Sequence, residues 1–213
     1  EYDLERFPQK KTVVVDIPES SQDSATWYAH RLGIQRVRAI TKNPEQVDAD
    51  RTFIASWSSR EEKVKNKYIF NPLLKEYFKG KTVVLMDDSL VRWTTLQYLI
   101  KAFCEFYEPA EVHVRIPSPP IVAPCFYGID MADIDTLMAP KFFKDILNPT
   151  TEELRNLSQV LGVKSLKYLT RADLVTAVQF KVNELCLACL TGEYPTPHGQ
   201  AAYDTQKAKV RPV

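Results

Sequence analysis

The segment VVLMDDSLVRWTT, residues 83–95, runs four apolar residues into two adjacent carboxylates, Asp87 and Asp88. At the carboxyl end of a buried strand, such a pair can accept hydrogen bonds from sugar hydroxyls or hold Mg²⁺, directly or through water. Ser89, Val91, Arg92, Thr94 and Thr95 then lead into a predicted helix. Free backbone N–H groups and the dipole at a helix start favour an anion. The two threonines add hydroxyl donors, and Arg92 adds a fixed charge suited to phosphate. The same residue types would also serve as an acidic turn that caps a helix, so residue types alone leave both readings open. A second cluster is made of thiols. Cys186 and Cys189 form C-x-x-C, and Cys125 stands in PCFYG. This spacing is compatible with zinc, iron–sulfur or redox chemistry. Cys104, inside a predicted helix, reads as a buried thiol. His113, across a strand from Val112 and Val114, reads as packed or solvated rather than catalytic.

The elements that must position these residues follow from periodicity. TVVVDIP (12–18) is a continuous apolar run ending in a turn signal, as in a buried parallel strand. A helix follows, with Ser21 as its cap, Ala25, Tyr28, Ala29 and Leu32 on one face, and Gly33 at its end. Residues 36–41 read as a short strand, 42–52 as a long loop without periodicity, and 71–81 as a helical turn closed at Gly80. Residues 83–86 form a buried strand, 94–107 a helix with Leu96, Leu99, Ile100 and Phe103 on one face, and 111–117 an alternating strand. Alternating strands and helices with short joins predict an α/β fold: an open, mostly parallel sheet with helices on both faces. The last third changes character. A Pro-rich stretch, 116–124, precedes two helices with capping-box starts at Thr150–Glu153 and Thr170–Asp173. The expected division is a core at 1–131, a helical and extended C-terminal wrap carrying the C-x-x-C at 132–197, and a flexible tail at 198–213.

Composition narrows the functional classes. A net charge of +1 gives no reason to expect a nucleic-acid partner, and no apolar run approaches the ~20 residues of a membrane helix. Four cysteines in 213 residues do not make a disulfide framework; together with the missing secretory signal they suggest a reduced, cytoplasmic protein.

Residues 83–95 resemble the signature of type I phosphoribosyltransferases, whose paired acidic residues bind the ribose of phosphoribosyl pyrophosphate. Further segments narrow the resemblance to the amidophosphoribosyltransferase family: IPESSQD (17–23), KN (42–43) with RTFI (51–54), EVHVRIPSPPIVAPCFYGIDM (111–131) and CLACLTGEYPT (186–196). They lie in the family's order across residues 12–196. The resemblance implies transfer of ammonia to C1 of phosphoribosyl pyrophosphate, with release of pyrophosphate, as the first step of purine synthesis. It assigns Asp87 and Asp88 to the ribose and the Mg²⁺ shell, and Ser89, Val91, Arg92, Thr94 and Thr95 to the 5′-phosphate. Glu19, Ser20 and Ser21 would face pyrophosphate and Mg²⁺, with Ser20 among the metal contacts. Lys42, Asn43 and Arg51 would close over the leaving group. One branch of the family carries a [4Fe–4S] cluster on cysteines matching Cys125, Cys186 and Cys189; its fourth ligand would lie outside this chain. Ammonia would come from a glutaminase domain also outside this chain, and an oligomer of identical chains is expected.

Two positions depart from the family pattern. Trp93 stands where the family has glycine, which lets a backbone approach phosphate closely and adopt φ > 0. PEQVDAD (44–50) replaces a shorter loop and places Asp48 and Asp50 where they would repel pyrophosphate unless Mg²⁺ lies between. These departures make a catalytically degenerate module that binds nucleotide, or plays a regulatory or structural part, the alternative expectation.

Overall fold

A computed structural model describes residues 3, 7–44, 67–131 and 133–209, with only the backbone described at Trp93. The strands are β1 (Thr12–Asp16), β2 (Gln35–Arg36), β3 (Ile40–Lys42), β4 (Tyr68–Phe70), β5 (Thr82–Met86), β6 (Glu111–Ile116) and β7 (Ser165–Tyr168). The helices are α1 (Gln22–Leu32), α2 (Lys75–Phe78), α3 (Trp93–Tyr107), α4 (Ala139–Phe142), α5 (Thr151–Leu161), α6 (Arg171–Val178), α7 (Ala188–Thr191) and α8 (Pro197–Lys209). Five strands form one sheet in the order β2-β1-β5-β6-β7, and every pairing in it is parallel. This is the predicted α/β architecture. β3 and β4 pair antiparallel as a separate two-stranded ribbon.

Side-chain alternation sorts the sheet into two faces. Val13, Val15, Val83, Leu85, Val112, Val114 and Leu166 belong to one apolar cluster with Leu96, Leu99, Ile100 and Phe103 of α3 and Leu157 and Leu161 of α5. Val14, Val84 and Met86 belong to a second cluster, with Ala25, Ala29 and Leu32 of α1 and with Phe7. Helices therefore cover both faces, and the central strands are buried from either side. That explains their unbroken apolar runs. Truncating one such core side chain to alanine costs ~2–5 kcal/mol.

The second face carries a polar patch as well. Arg115, 5% exposed, donates to both carboxylate oxygens of Asp3, through Nε at 2.8 Å and Nη2 at 2.9 Å. Tyr28 donates to the same carboxylate at 2.7 Å. His113 is 1% exposed, with Nδ1 2.8 Å from Ser165 Oγ and its ring edge-on to Phe7. The packed reading of His113 is the one observed.

Several elements differ from expectation. The strand expected at 36–41 is split: β2 joins the main sheet, and β3 leaves it for the ribbon. A strand, β7, forms where only helices were expected. It pairs with β6, so residues after 132 complete the sheet and share its core rather than only wrapping it. The tail expected from 198 is helical to Lys209; Tyr203, 4% exposed, packs into the main cluster, and that contact offsets the weak amphipathicity of the segment. Ser21 occupies the N-cap position of α1, but its hydroxyl donates back to Ile17 O at 2.5 Å rather than capping. The Thr150–Glu153 capping box is formed in both directions, and Thr170 Oγ1 accepts from the Asp173 N–H as predicted.

Candidate active site

The chain order fixes where a ligand can sit. β1 connects through α1 to β2 on one side of the sheet, whereas β5 connects through α3 to β6 on the other. β1 and β5 are neighbours, paired in register from Thr12–Thr82 to Asp16–Met86. The connections therefore diverge between them, and the crevice at their carboxyl ends is the topological switch point where open α/β sheets bind ligands. The loop after β1 (17–21) and the loop after β5 (87–92) leave this edge side by side, linked by the Ile17 N–H donating to Met86 O at 2.9 Å.

A cleft of about 330 Å³ opens at this edge. Of the predicted residues, Asp87, Ser89, Val91, Arg92 and Thr95 line it. Asp87 is half-buried and Asp88 exposed, and the Asp88 N–H donates to Asp87 Oδ1 at 3.1 Å. Burial, reinforced by the neighbouring Asp88 charge, pushes the Asp87 carboxyl up to about 8. The pair is thus short of positive charge. Arg92, the N-cap residue of α3, is exposed and extended (φ −121°, ψ 115°), and Trp93 is the first residue of the helix. A helical start is open to any L-residue, so the backbone here does not require the family's glycine. The Trp93 side chain lies outside the described atoms.

The β1 side brings a second set together. Glu19 and Ser20 are exposed, Ser21 is fully buried, and the Pro18–Glu19 peptide is cis. Lys42, from the ribbon, places Nζ 3.3 Å from Glu19 Oε2, so residues 23 positions apart meet at the loop after β1. Asn43 closes the ribbon's end with its N–H donating to Lys67 O at 2.9 Å. Arg51, Asp48 and Asp50 lie outside the described residues. Behind the loop, Asp16 is fully buried and accepts from Arg36 Nε at 2.9 Å; its other oxygen has no partner among the described residues.

Residues without a sequence signal complete the walls. Tyr68 of the ribbon lines the cleft, as do Asp130, Met131 and Thr136. Asp130 stands within the quoted GID stretch, but nothing in its spacing from Asp87 indicates that the chain returns to this edge after β6.

The thiols lie elsewhere. Burial raises the Cys189 thiol, and the neighbouring Cys125 and Cys186 raise it further, so the three predicted cysteines are close enough to influence one another. Val122 and Ala123 N–H groups donate to Cys189 O, and the Tyr127 N–H points to Cys125 Sγ at 3.4 Å. Among the described residues, no group of three or more His, Cys, Asp or Glu side chains stands in place around a single ion. No described helix is long and apolar enough to cross a membrane.

A parallel sheet with an adjacent acidic pair and a loop opening a helix at its switch point is the arrangement of the phosphoribosyltransferase class of α/β folds. No family model matches the chain. Among its curated relatives, an amidophosphoribosyltransferase of Methanothermobacter thermautotrophicus is 38% identical over 191 residues, and one of Methanocaldococcus jannaschii is 39% identical over 190, each alignment taking in 89% of this chain. The chain spans only 37% and 36% of those relatives' length. Among solved structures, glutamine phosphoribosylpyrophosphate amidotransferase from B. subtilis, complexed with ADP and GMP, matches at TM-score 0.68 and 33% identity. That match covers 87% of this chain and 38% of the other. A structure described as the allosteric regulatory enzyme of purine biosynthesis matches at 0.67 and 32%, over 90% and 40%. The chain is therefore a homologue of the amidophosphoribosyltransferases over the part it spans.

Proposed function

We propose that this chain is the phosphoribosyltransferase part of an amidophosphoribosyltransferase, binding phosphoribosyl pyrophosphate at the β1–β5 switch point and passing ammonia to its C1. The observation that carries the reading is the convergence of three chain segments on one sheet edge. The Asp87–Asp88 pair and Arg92–Thr95 helix start come from β5, the Glu19–Ser21 loop from β1, and Lys42 from the ribbon. A sugar carrying phosphates at both ends needs anion sites on either side of a hydroxyl-binding group, and the reading assigns the helix start to one end and Lys42 to the other.

In this reading Asp87 and Asp88 accept from the ribose hydroxyls. The N–H groups at the start of α3, the hydroxyls of Ser89, Thr94 and Thr95, and the Arg92 guanidinium hold the 5′-phosphate. Val91 contributes backbone, its carbonyl accepting from the Met138 N–H at 2.9 Å to brace the loop. The ammonia nitrogen forms a bond to C1 as the C1–oxygen bond to pyrophosphate breaks, and the ammonium formed then loses a proton. Charge builds on the departing pyrophosphate, which favours an ammonium such as Lys42 placed beside it. Asn43 and Arg51 would complete that side, with Glu19, Ser20 and the backbone of Ser21 lining the loop beneath.

Two groups belong to this reading. Asp87 and Asp88, with Ser20 across the crevice, would hold Mg²⁺; two crowded carboxylates and oxygen donors suit this hard cation. When bound, it would neutralise the carboxylates and the diphosphate. Cys125, Cys186 and Cys189 would hold a [4Fe–4S] cluster with a fourth ligand outside this chain. Each thiolate of such a cluster binds its own iron, so the sulfurs need proximity rather than convergence on one point. The cluster's part would be to pin residues 186–196 to the domain. Ammonia delivered by a glutaminase domain outside this chain, an oligomer of identical chains and a cytoplasmic setting belong to the same reading.

The test is pyrophosphate release by this chain from phosphoribosyl pyrophosphate, with Mg²⁺ and free ammonia. Ammonia-dependent release abolished by Asp87→Asn supports the assignment. Tight binding without release would point to the module that binds and does not turn over, and no binding would remove the assignment.

A further inference from the structure

The ribbon that brings Lys42 to the site is held at its base by a residue that the chemistry does not use. β3 starts after Ala39 and β4 ends before Asn71, and the Asn71 N–H donates to Ala39 O at 3.0 Å, closing the two stems. The hydroxyl of Tyr107 reaches both carbonyls at this point: Ala39 O at 2.9 Å and Asn71 O at 3.1 Å. Tyr107 is fully buried. Its ring packs against Phe78, Phe103 and Phe106 at centroid distances of 4.7–4.8 Å, and against Phe70 of β4 at 5.8 Å. Burial pushes the phenol up to about 12, so it is a neutral donor across the working pH range.

Tyr107 is also the last residue of α3, whose first turn forms the candidate 5′-phosphate site. Fifteen helical residues make a strut of about 22 Å. One rigid element therefore has the phosphate loop at one end and the ribbon's base at the other. From that base, the three-residue strands carry Lys42 to within 3.3 Å of Glu19 and bring Tyr68 to the cleft wall. We propose that Tyr107 is a positioning residue for the leaving-group side of the site: its hydroxyl ties the ribbon to α3 and so fixes the reach of Lys42 from the phosphate loop. The inference rests on the function proposed above, because it assigns Lys42 to pyrophosphate.

Removing the hydroxyl alone is a mild change for the fold. Ala39 O keeps the Asn71 N–H, and Asn71 O keeps the Leu74 N–H at 3.2 Å, so Tyr107→Phe leaves neither carbonyl without a donor and keeps the ring packed. Calorimetry on this chain with Mg²⁺ and either inorganic pyrophosphate or ribose 5-phosphate separates the two sides of the site. Tyr107→Phe is expected to weaken pyrophosphate about fivefold, the worth of one ordinary hydrogen bond, and to leave ribose 5-phosphate within twofold. In a cycle with Lys42→Met the two pyrophosphate losses should be less than additive, because Tyr107 acts through Lys42. Equal weakening of both probes, no weakening of pyrophosphate, or full additivity would overturn the positioning role and leave the site reading standing. Failure of the unaltered chain to bind either probe would overturn both.

Discussion

Replacing Asp3 by alanine should destabilise the chain by several kcal/mol, although the residue is assigned no part in the chemistry. Arg115 lies in the middle of the sheet at 5% exposure, and Asp3 is 112 positions away in sequence. Its carboxylate takes two charge-assisted bonds from the guanidinium and one from the Tyr28 hydroxyl. Asp3→Ala removes all three and leaves a buried cation with no described carboxylate partner, facing Val114 O, Ser165 Oγ and the Phe7 ring. Breaking a buried pair from one side costs about 3–5 kcal/mol, mostly from the charge left behind rather than the attraction lost. Removing the charge as well should recover much of the loss, so Asp3→Ala with Arg115→Met is expected to be more stable than Asp3→Ala alone. The pair also predicts a pH dependence. Burial alone would push the Asp3 carboxyl up, but the Arg115 bonds and charge and the Tyr28 hydroxyl together hold it below the usual 3.8. The stabilisation is therefore fully present above that value and is lost as pH falls through the lower folded-state value. Urea unfolding at pH 7 and at pH 3, for the parent and both variants, measures all of this. A loss under 1 kcal/mol for Asp3→Ala at pH 7, or a double variant no better than the single, would refute the account of Arg115 as a charge held by one partner.

Asp87 carries the opposite sign: its folded-state value, raised to about 8, means that stability falls as pH rises from 3.8 to 8. Asp87→Asn should therefore gain stability relative to the parent above pH 8 without Mg²⁺ and match it near pH 4, as read by thermal melts across that range; parallel profiles would count against it. Tyr203→Ala should cost ~3 kcal/mol and lower the helical signal, because this ring anchors α8 in the main core and stacks on Tyr194 at 5.3 Å. An unchanged melting temperature would mean that α8 is not docked.

The buried strands are legible because burial on both faces writes an unbroken apolar run, as in 13–15 and 83–86. The loop after β5 is legible as the passage from such a strand into an amphipathic helix, whereas residue types alone leave open whether its carboxylate pair holds a ligand or caps the helix, and only the family resemblance favours the ligand. β7 is not legible, because SLKY is short, has one fully buried residue, and takes its place only by pairing with β6. The ribbon is hidden for the same reason, since Ile40–Lys42 finds its partner at Tyr68–Phe70, far along the sequence. Tyr203 shows that a single buried aromatic can dock a helix whose average pattern looks like a tail. Asp130 and Thr136 reach the cleft through a chain return that no local spacing encodes.

The central claim is that a sugar carrying a 5′-phosphate and a 1-pyrophosphate is held between the loops after β1 and β5. Calorimetric titration of phosphoribosyl pyrophosphate with Mg²⁺ into this chain, and into the Asp87→Asn, Asp88→Asn double variant, tests it most directly. The account predicts saturable one-to-one binding to the parent that the double variant loses; equal binding by both, or none by the parent, would contradict it.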